Sequence, residues 1–318
     1  MNLLQVRVAA KKVEAQDICS FELVAALPGQ ELPAFGPGAH IDVHIPGGAI
    51  RQYSLWNSPA DTGVYRIGVL REANGRGGSV GMHDTVQEGS TLQIGLPRNH
   101  FPLSSSGKHS LLLAGGIGIT PILCMAQSLV EAGRSFELHY CSRSHARTAF
   151  MNRLHALGQR CRLYVDEDPV GERFRIGEVL SAQPAETHLY TCGPKGFMDA
   201  VLQAARGMDW NEDRLHYEFF QTETIPVEGD TAFDVQLMRS GRTVRVGHAQ
   251  TVAHALMSAG VDLQTSCEQG ICGTCVTRVL AGIPDHRDSF LMPEEQAAND
   301  CFTPCCSRSL SPTLVLDL

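Results

Sequence analysis

Cys267, Cys272 and Cys275, spaced C-x₄-C-x₂-C with Cys305 further along, constrain this chain more than any other feature. That spacing is the plant-type ligation pattern of a [2Fe–2S] cluster, in which each iron takes two cysteine thiolates and two bridging sulfides. Gly270 and Gly273 let one short loop turn around such a cluster where a side chain would resist. Zinc sites favour paired C-x₂-C units, and a disulfide framework is not expected in a chain of 318 residues. A cluster of this kind carries one electron at a time. The rest of the chain must therefore supply a way in and a way out.

The length suggests two or three domains, and a hydrophobic content of 43% is enough to build their cores. No apolar run is long enough to span a bilayer as a helix, and the opening residues lack the apolar core of a secretory signal. Seven of the eleven cysteines lie outside the cluster set, which fits a reducing, cytoplasmic setting. A net charge of −8 argues against nucleic acid as a partner.

The first hundred residues read as short alternating strands, Gln5–Val8, Ile18–Leu23, His40–Ile45, Val64–Leu70 and Thr91–Leu96, separated by Pro-Gly and Gly-Gly turns. Such spacing predicts an antiparallel barrel or sandwich. Within it, Arg51-Gln52-Tyr53-Ser54 offers a guanidinium for phosphate, an aromatic ring for packing and a hydroxyl for hydrogen bonding. These residues suit a flavin site or an ordinary half-buried strand. Gly75-Arg76-Gly77-Gly78-Ser79 strengthens the first reading, with free backbone amides and Ser79 as the expected cap of a following helix.

From about residue 105 strands alternate with helices, which predicts a parallel sheet. The strand Ser110–Ala114 runs into Gly115-Gly116-Ile117-Gly118-Ile119-Thr120-Pro121, with Thr120 as the expected N-cap of a helix over Pro121–Ala132. That turn suits a pyrophosphate or is a plain tight turn. Ser142-Arg143 closes the next strand, where an adenosine ribose often lies, and Arg143 suits a 2′-phosphate or the solvated surface. Cys192-Gly193-Pro194 then places a thiol at a strand's carboxyl end, before a helix over Lys195–Arg206. After a polar linker over 221–230, strands at Phe233–Arg239 and Thr243–Val246 form a hairpin, followed by a helix near Val252–Ala259.

Over nearly its whole length the chain resembles the phthalate dioxygenase reductase family, which includes vanillate demethylase reductases. The resemblance is carried by Arg51-Gln-Tyr53-Ser54, Gly75-Arg-Gly-Gly-Ser79, Gly115 through Pro121, Cys192-Gly-Pro194, His216-Tyr-Glu218 with Phe220, the four-cysteine pattern and Asp285-His-Arg-Asp288. It implies a multidomain fold: an antiparallel β-barrel flavin domain over 1–104, an α/β parallel-sheet nucleotide domain over 105–228, and a β-grasp ferredoxin domain over 229–318.

By the same resemblance Arg51, Gln52, Tyr53 and Ser54 contact FMN, Gly77, Gly78 and Ser79 surround its phosphate, and Gly68, Val69 and Leu70 border it. A lysine is common in the family where Leu70 stands. Thr120 and Phe220 approach the flavin, while Gly115, Gly116, Ser142, Arg143, Cys192, Gly193 and Pro194 hold NADH. Ser54, Cys192 and Glu218 are the implied catalytic residues. The ending Cys305-Cys306-Ser307-Arg308 resembles the family's C-x-S-R, which selects Cys305 rather than Cys306 as the fourth metal ligand.

The implied function is a reductase component that passes electrons from NADH through FMN and the [2Fe–2S] cluster to a Rieske non-haem iron oxygenase. Plant-type clusters lie near about −400 mV and Rieske centres at about −150 mV or above, so the last transfer runs downhill. A haem monooxygenase or a soluble ferredoxin is the alternative acceptor, and a redox sensor without turnover is the alternative class. A monomer is expected. From residue 230 onward ten acidic and six basic side chains give a mildly acidic domain, suited to docking or simply to solvation.

Overall fold

A computed structural model of the chain describes residues 3–73, 77–220, 229–248, 250–265, 270 and 273–318. The chain divides into two compact units, Met1–Glu218 and Phe219–Leu318. Among the described residues no helix is long and apolar enough to cross a membrane.

The first unit holds two sheets. Six strands, β1 (Leu4–Ala15), β2 (Ile18–Ala25), β3 (His40–His44), β4 (Ile50–Ser54), β5 (Val64–Leu70) and β6 (Thr91–Ile94), pair antiparallel in the order β4-β3-β6-β1-β2-β5. Leu55 bridges Ile67, and the Trp56 amide donates to the Arg66 carbonyl at 3.0 Å. These contacts join the two edges and close the sheet into a barrel. Register shifts along β1 at Val8/Ala10 and Val13/Ala15 bend it, as closure requires. Strand β1 runs well past the expected Val8 for that reason. Inward residues such as Val6, Val8, Phe21, Ile41, Ile67 and Ile94 fill the interior. A helix, α1 (Gly78–Thr85), follows β5. The Lys11 ammonium donates to the carbonyls of His83 and Val86 at 2.6 and 2.8 Å, so a cation sits on the helix's negative end.

The second sheet comprises β7 (His109–Gly115), β8 (Ser135–Ser142), β9 (Cys161–Val165), β10 (His188–Gly193) and β11 (Leu215–Phe219), in the order β11-β10-β7-β8-β9. The pairs β10–β7, β7–β8 and β8–β9 are parallel. Central β7 is apolar and almost wholly buried, as expected of a strand covered on both faces. Helices α2 (Ile119–Glu131), α3 (Met151–His155), α4 (Ile176–Ser181) and α5 (Lys195–Gly207) connect the strands. The chain leaves β7 toward β8 on one side and returns to β10 on the other. The carboxyl ends of β7 and β10 therefore flank a topological switch point, where open α/β sheets bind ligands.

Two expected helix caps are corrected. α2 begins at Ile119, with Gly118 as its N-cap residue, because a 3₁₀ turn over Gly116–Gly118 already winds the backbone. Thr120 lies inside the first turn and donates to the Ile117 carbonyl at 3.1 Å. α1 is likewise entered through Gly77 in the left-handed conformation, and the Ser79 hydroxyl accepts instead from the Glu72 amide at 3.0 Å.

In the second unit β12 (Phe233–Leu237), β13 (Thr243–Val246), α6 (Val252–Ser258), β14 (Thr277–Ala281), β15 (Pro284–Asp285), α7 (Pro293–Ala298), β16 (Cys301–Phe302), β17 (Arg308–Ser309) and β18 (Thr313–Leu316) follow in order. The main sheet runs β13-β12-β18-β14-β16, with β12 and β18 parallel at its centre and Val252, Ala255 and Leu256 of α6 in the same core. This is a β-grasp fold. β12 stops at Leu237 rather than Arg239 because the Gly241 amide returns to the Leu237 carbonyl at 2.8 Å and makes the turn. The expected linker's residues 221–228 lie outside the described residues.

At the far side of the α/β sheet the His216 ring stacks on Tyr190 at 4.5 Å and on His188 at 5.2 Å. Burial, and then the neighbouring His188, push the His216 imidazole down from 6.5 to about 4. Between these pH values the unfolded chain takes up a proton that the folded one refuses, so stability falls as pH drops from 6.5 to 4. Melting temperatures of wild type and His216→Phe across that range should diverge, with wild type showing the steeper acid loss.

Candidate functional site

One candidate site lies in the first unit, where the barrel meets the carboxyl ends of β7 and β10. The helix α2 is fastened to the strand segment that follows Ser54. The Gln127 amide donates to the Trp56 carbonyl at 2.7 Å, and the Cys124 thiol donates to the Asn57 carbonyl at 3.1 Å. Farther round, the Arg147 guanidinium pairs with Asp17 at 2.7 Å. Gly68 of β5 abuts α2, since a β-carbon there would come within 2.8 Å of the Thr120 methyl and 3.0 Å of the Phe150 ring. Ser54, Gly68 and Thr120 are thus gathered from separate elements.

The Arg51 side chain lies across Gly78, where an added β-carbon would meet Arg51 Cγ at 2.8 Å and Nε at 2.9 Å. A guanidinium is thereby held beside the amino end of α1, whose first amides have no partner within the helix. Together they form a cradle for a doubly charged anion. Tyr53 packs half-buried against the barrel core, and Ser54 is buried at the end of β4. Gly75 and Arg76 lie outside the described residues.

At the switch point the two glycine motifs interlock. A β-carbon on Gly118 would strike the Cys192 carbonyl and the Gly193 amide, and one on Gly115 would press on Pro194 and Phe197. Gly118 has an ordinary helical φ of −60°, so its need is for space alone. Gly116 is the reverse case, with φ +53° and open space around it. Cys192 is wholly buried; burial and then the Glu218 carboxylate push its thiol well above the usual range, so it stands as a neutral thiol. The Ser142 hydroxyl is buried and shared with Thr148 at 2.7 Å, which turns it inward, while Arg143 stands exposed.

Two further residues, not among the expected site residues, belong to the same place. His40, buried on β3 and paired in register with Ser54, has Nδ1 3.7 Å from Glu218 Oε1 and Nε2 3.3 Å from the Gln52 amide nitrogen. Glu218 Oε2 is buried without a hydrogen-bond partner among the described residues. The second such residue is Gly118, whose only signal in the sequence is its place in Gly-Gly-Ile-Gly.

In the second unit, Cys275 and Cys305 are buried in one cluster with Ala253 and Cys306. Cys267 and Cys272 lie outside the described residues. Gly270 and Gly273 both hold the left-handed conformation, and their open sides are covered by the Cys306 sulfur and the Phe290 ring respectively. The Cys306 sulfur also lies 3.2 Å from the Thr303 hydroxyl. The Asp285–Asp288 segment clamps this region. The Ser289 amide donates to the Gly270 carbonyl at 3.0 Å, and the Ser307 hydroxyl donates to Asp288 and accepts from the Arg287 amide at 3.1 Å. Buried thiols clustered beside Gly270 and Gly273 fit an iron–sulfur cluster. Phe220 is half-buried in this unit.

Residues 235–310 match the 2Fe-2S iron-sulfur cluster binding domain, and residues 96–215 match the dimethylamine monooxygenase subunit DmmA-like N-terminal domain. The chain is 51% identical to a vanillate O-demethylase oxidoreductase of Pseudomonas putida over 98% of each chain. It also matches the solved phthalate dioxygenase reductase, described as a modular structure for electron transfer from pyridine nucleotides to [2Fe–2S]. That match has TM-score 0.82 and 37% identity, and covers 100% of this chain and 98% of the other. The chain belongs to the phthalate dioxygenase reductase-like family. A further likeness, to an intact type IV self-sufficient cytochrome P450 monooxygenase, has TM-score 0.79 and 38% identity and covers 99% of this chain but 41% of that one. As a member of the family this chain is an electron-transfer oxidoreductase with a 2Fe–2S ferredoxin domain.

The contrast between the two glycines is testable. Gly118→Ala should cost the first unit about 1–3 kcal/mol, since the Cys192–Gly193 peptide lies in the way of the new methyl. Gly116→Ala should cost about 1 kcal/mol, through its positive φ alone. Denaturant unfolding measures both, and a smaller loss for Gly118→Ala contradicts the interlock.

Proposed function

We propose that the protein is the reductase component of a Rieske non-haem iron oxygenase system, taking electrons from NADH. The observation that carries this reading is the meeting of an anion cradle, a switch-point crevice and a carboxylate oxygen buried without a hydrogen-bond partner among the described residues in one unit, with a cysteine pocket in the other. Domain boundaries at residues 104 and 228 assign a single cofactor to each of three domains.

Arg51, Gly77 and Gly78 hold the FMN phosphate, with Ser79 tying the preceding segment to α1 rather than facing the ligand. Gln52, Tyr53 and Ser54 line the flavin on β4; Gly68, Val69 and Leu70 border it on β5, and Thr120 faces it from α2. Bound, FMN takes up the two electrons of a hydride and releases them singly to the 2Fe–2S cluster. Ser54 contributes a buried hydroxyl at the flavin's reacting edge.

Gly115, Gly116, Gly193 and Pro194 leave room for the dinucleotide along the crevice, with Arg143 at the adenosine end. Ser142 supports that end from behind through Thr148. Cys192, a neutral thiol, provides a small polarisable wall for the nicotinamide. Glu218 Oε2 accepts a hydrogen bond from the nicotinamide carboxamide, the donor its burial calls for. Cys267, Cys272, Cys275 and Cys305 ligate the cluster, and Cys306 packs on Gly270 as a bystander. The protein acts as a monomer in the cytoplasm and docks transiently on its oxygenase.

The likeness to a self-sufficient cytochrome P450 favours a second reading, with a haem monooxygenase as acceptor. NADH-dependent turnover of a reconstituted Rieske oxygenase, compared with a haem monooxygenase, separates the two. Cys305→Ser should abolish turnover and the cluster's visible bands, while Cys306→Ser should retain both. The opposite pattern would exchange the two assignments.

A further inference from the structure

His40 is outside every motif that carries the family resemblance, yet it lies between the flavin strand and Glu218. Its ring is almost wholly buried, with the Gln52 amide nitrogen 3.3 Å from Nε2 on one side and Glu218 Oε1 3.7 Å from Nδ1 on the other. An amide nitrogen only donates, so Nε2 must accept, and the ring proton of the neutral imidazole sits on Nδ1. That proton faces the Glu218 carboxylate. At 3.7 Å the contact is longer than a hydrogen bond, as catalytic contacts often are before a ligand closes the site. With Oε1 so engaged, Oε2 is left buried without a partner among the described residues.

A second histidine and an ion pair lie beside the ring. The His100 ring lies tilted against His40 at 5.6 Å, and the Arg98 guanidinium, which His100 also senses, is bound by both oxygens of Asp42 at 2.7 and 2.8 Å. Burial, and then His40 and Arg98, lower His100 below the usual imidazole range.

We infer that His40 is a positioning residue: Gln52 fixes its tautomer, and its Nδ1–H holds Glu218 by Oε1 so that Oε2 faces an amide donor of the bound pyridine nucleotide. The flavin strand is thereby linked to nucleotide recognition through one imidazole. This inference rests on the reading of Glu218 as a nicotinamide contact.

The test uses the flavin-loaded full chain and titration with NAD⁺. His40→Leu should keep its FMN but bind NAD⁺ about tenfold more weakly, the loss expected for one hydrogen bond to a charged group. His40→Asn, whose amide reaches the Nδ1 position, should recover most of that loss. In a Glu218→Gln background, His40→Leu should add little. Full additivity, no recovery by Asn, or loss of FMN with unchanged NAD⁺ affinity would overturn the inference. A measurement without substitution stands beside it: ¹⁵N spectra should show His40 protonated at Nδ1, and an Nε2–H tautomer would also overturn it. Wild type that binds no NAD⁺ would instead overturn the nucleotide reading from which this one starts.

Discussion

Everything in the first unit depends on where α2 begins. The helix is pressed against the Cys192–Gly193 backbone through Gly118, against β5 through Thr120 and Gly68, and, in its later turns, against the segment after Ser54 through Cys124 and Gln127. Those contacts make one body of two sheets that have separate cores. They also bring β4 and the switch-point crevice together, the juxtaposition that the proposed hydride transfer needs. A reacting pair gains its advantage from fixed geometry, and packing of this density supplies it.

The second unit meets a different constraint. Its cysteine pocket is built from a loop that must turn tightly and from a distant ending, Cys305 through Arg308. Arg308 is buried and donates to the carbonyls of Gln250, Thr231 and Gly247 at 2.6, 3.1 and 3.1 Å. Arg287 reaches Asp230 at 3.0 Å and Asp285 at 2.8 Å. Buried charges of this kind are tolerable only when each is satisfied, and removal of one partner typically costs about 3–5 kcal/mol. The Asp285–Asp288 motif thus clamps the surroundings of the cysteine pocket.

Much of this was legible in the sequence, for identifiable reasons. Alternating burial in β6 and β12 and the continuous apolar run of β7 report directly on one-faced and two-faced strands. The cysteine spacing and the glycine motifs specify chemistry with few alternatives. Caps were less legible. Thr120 and Ser79 are good capping residues placed one or two positions inside helices that glycine had already begun, so their hydroxyls bond elsewhere. The strands β15, β16 and β17 are not legible because two residues carry no period. His40 escaped because a lone histidine on an apolar strand is usually just a core residue, and only the fold brings Glu218 to it. Ser142 was placed correctly at a strand end, but its inward hydrogen bond to Thr148 was not readable.

The central claim is that electrons from NADH reach the cluster inside this one chain. Anaerobic titration of the cofactor-replete protein with NADH, followed by visible absorbance and EPR, tests it most directly. Bleaching of both flavin and cluster bands, with the EPR signal of a reduced [2Fe–2S] centre, is the predicted result. Protein that stays fully oxidised with NADH, and with NADPH as well, would contradict it.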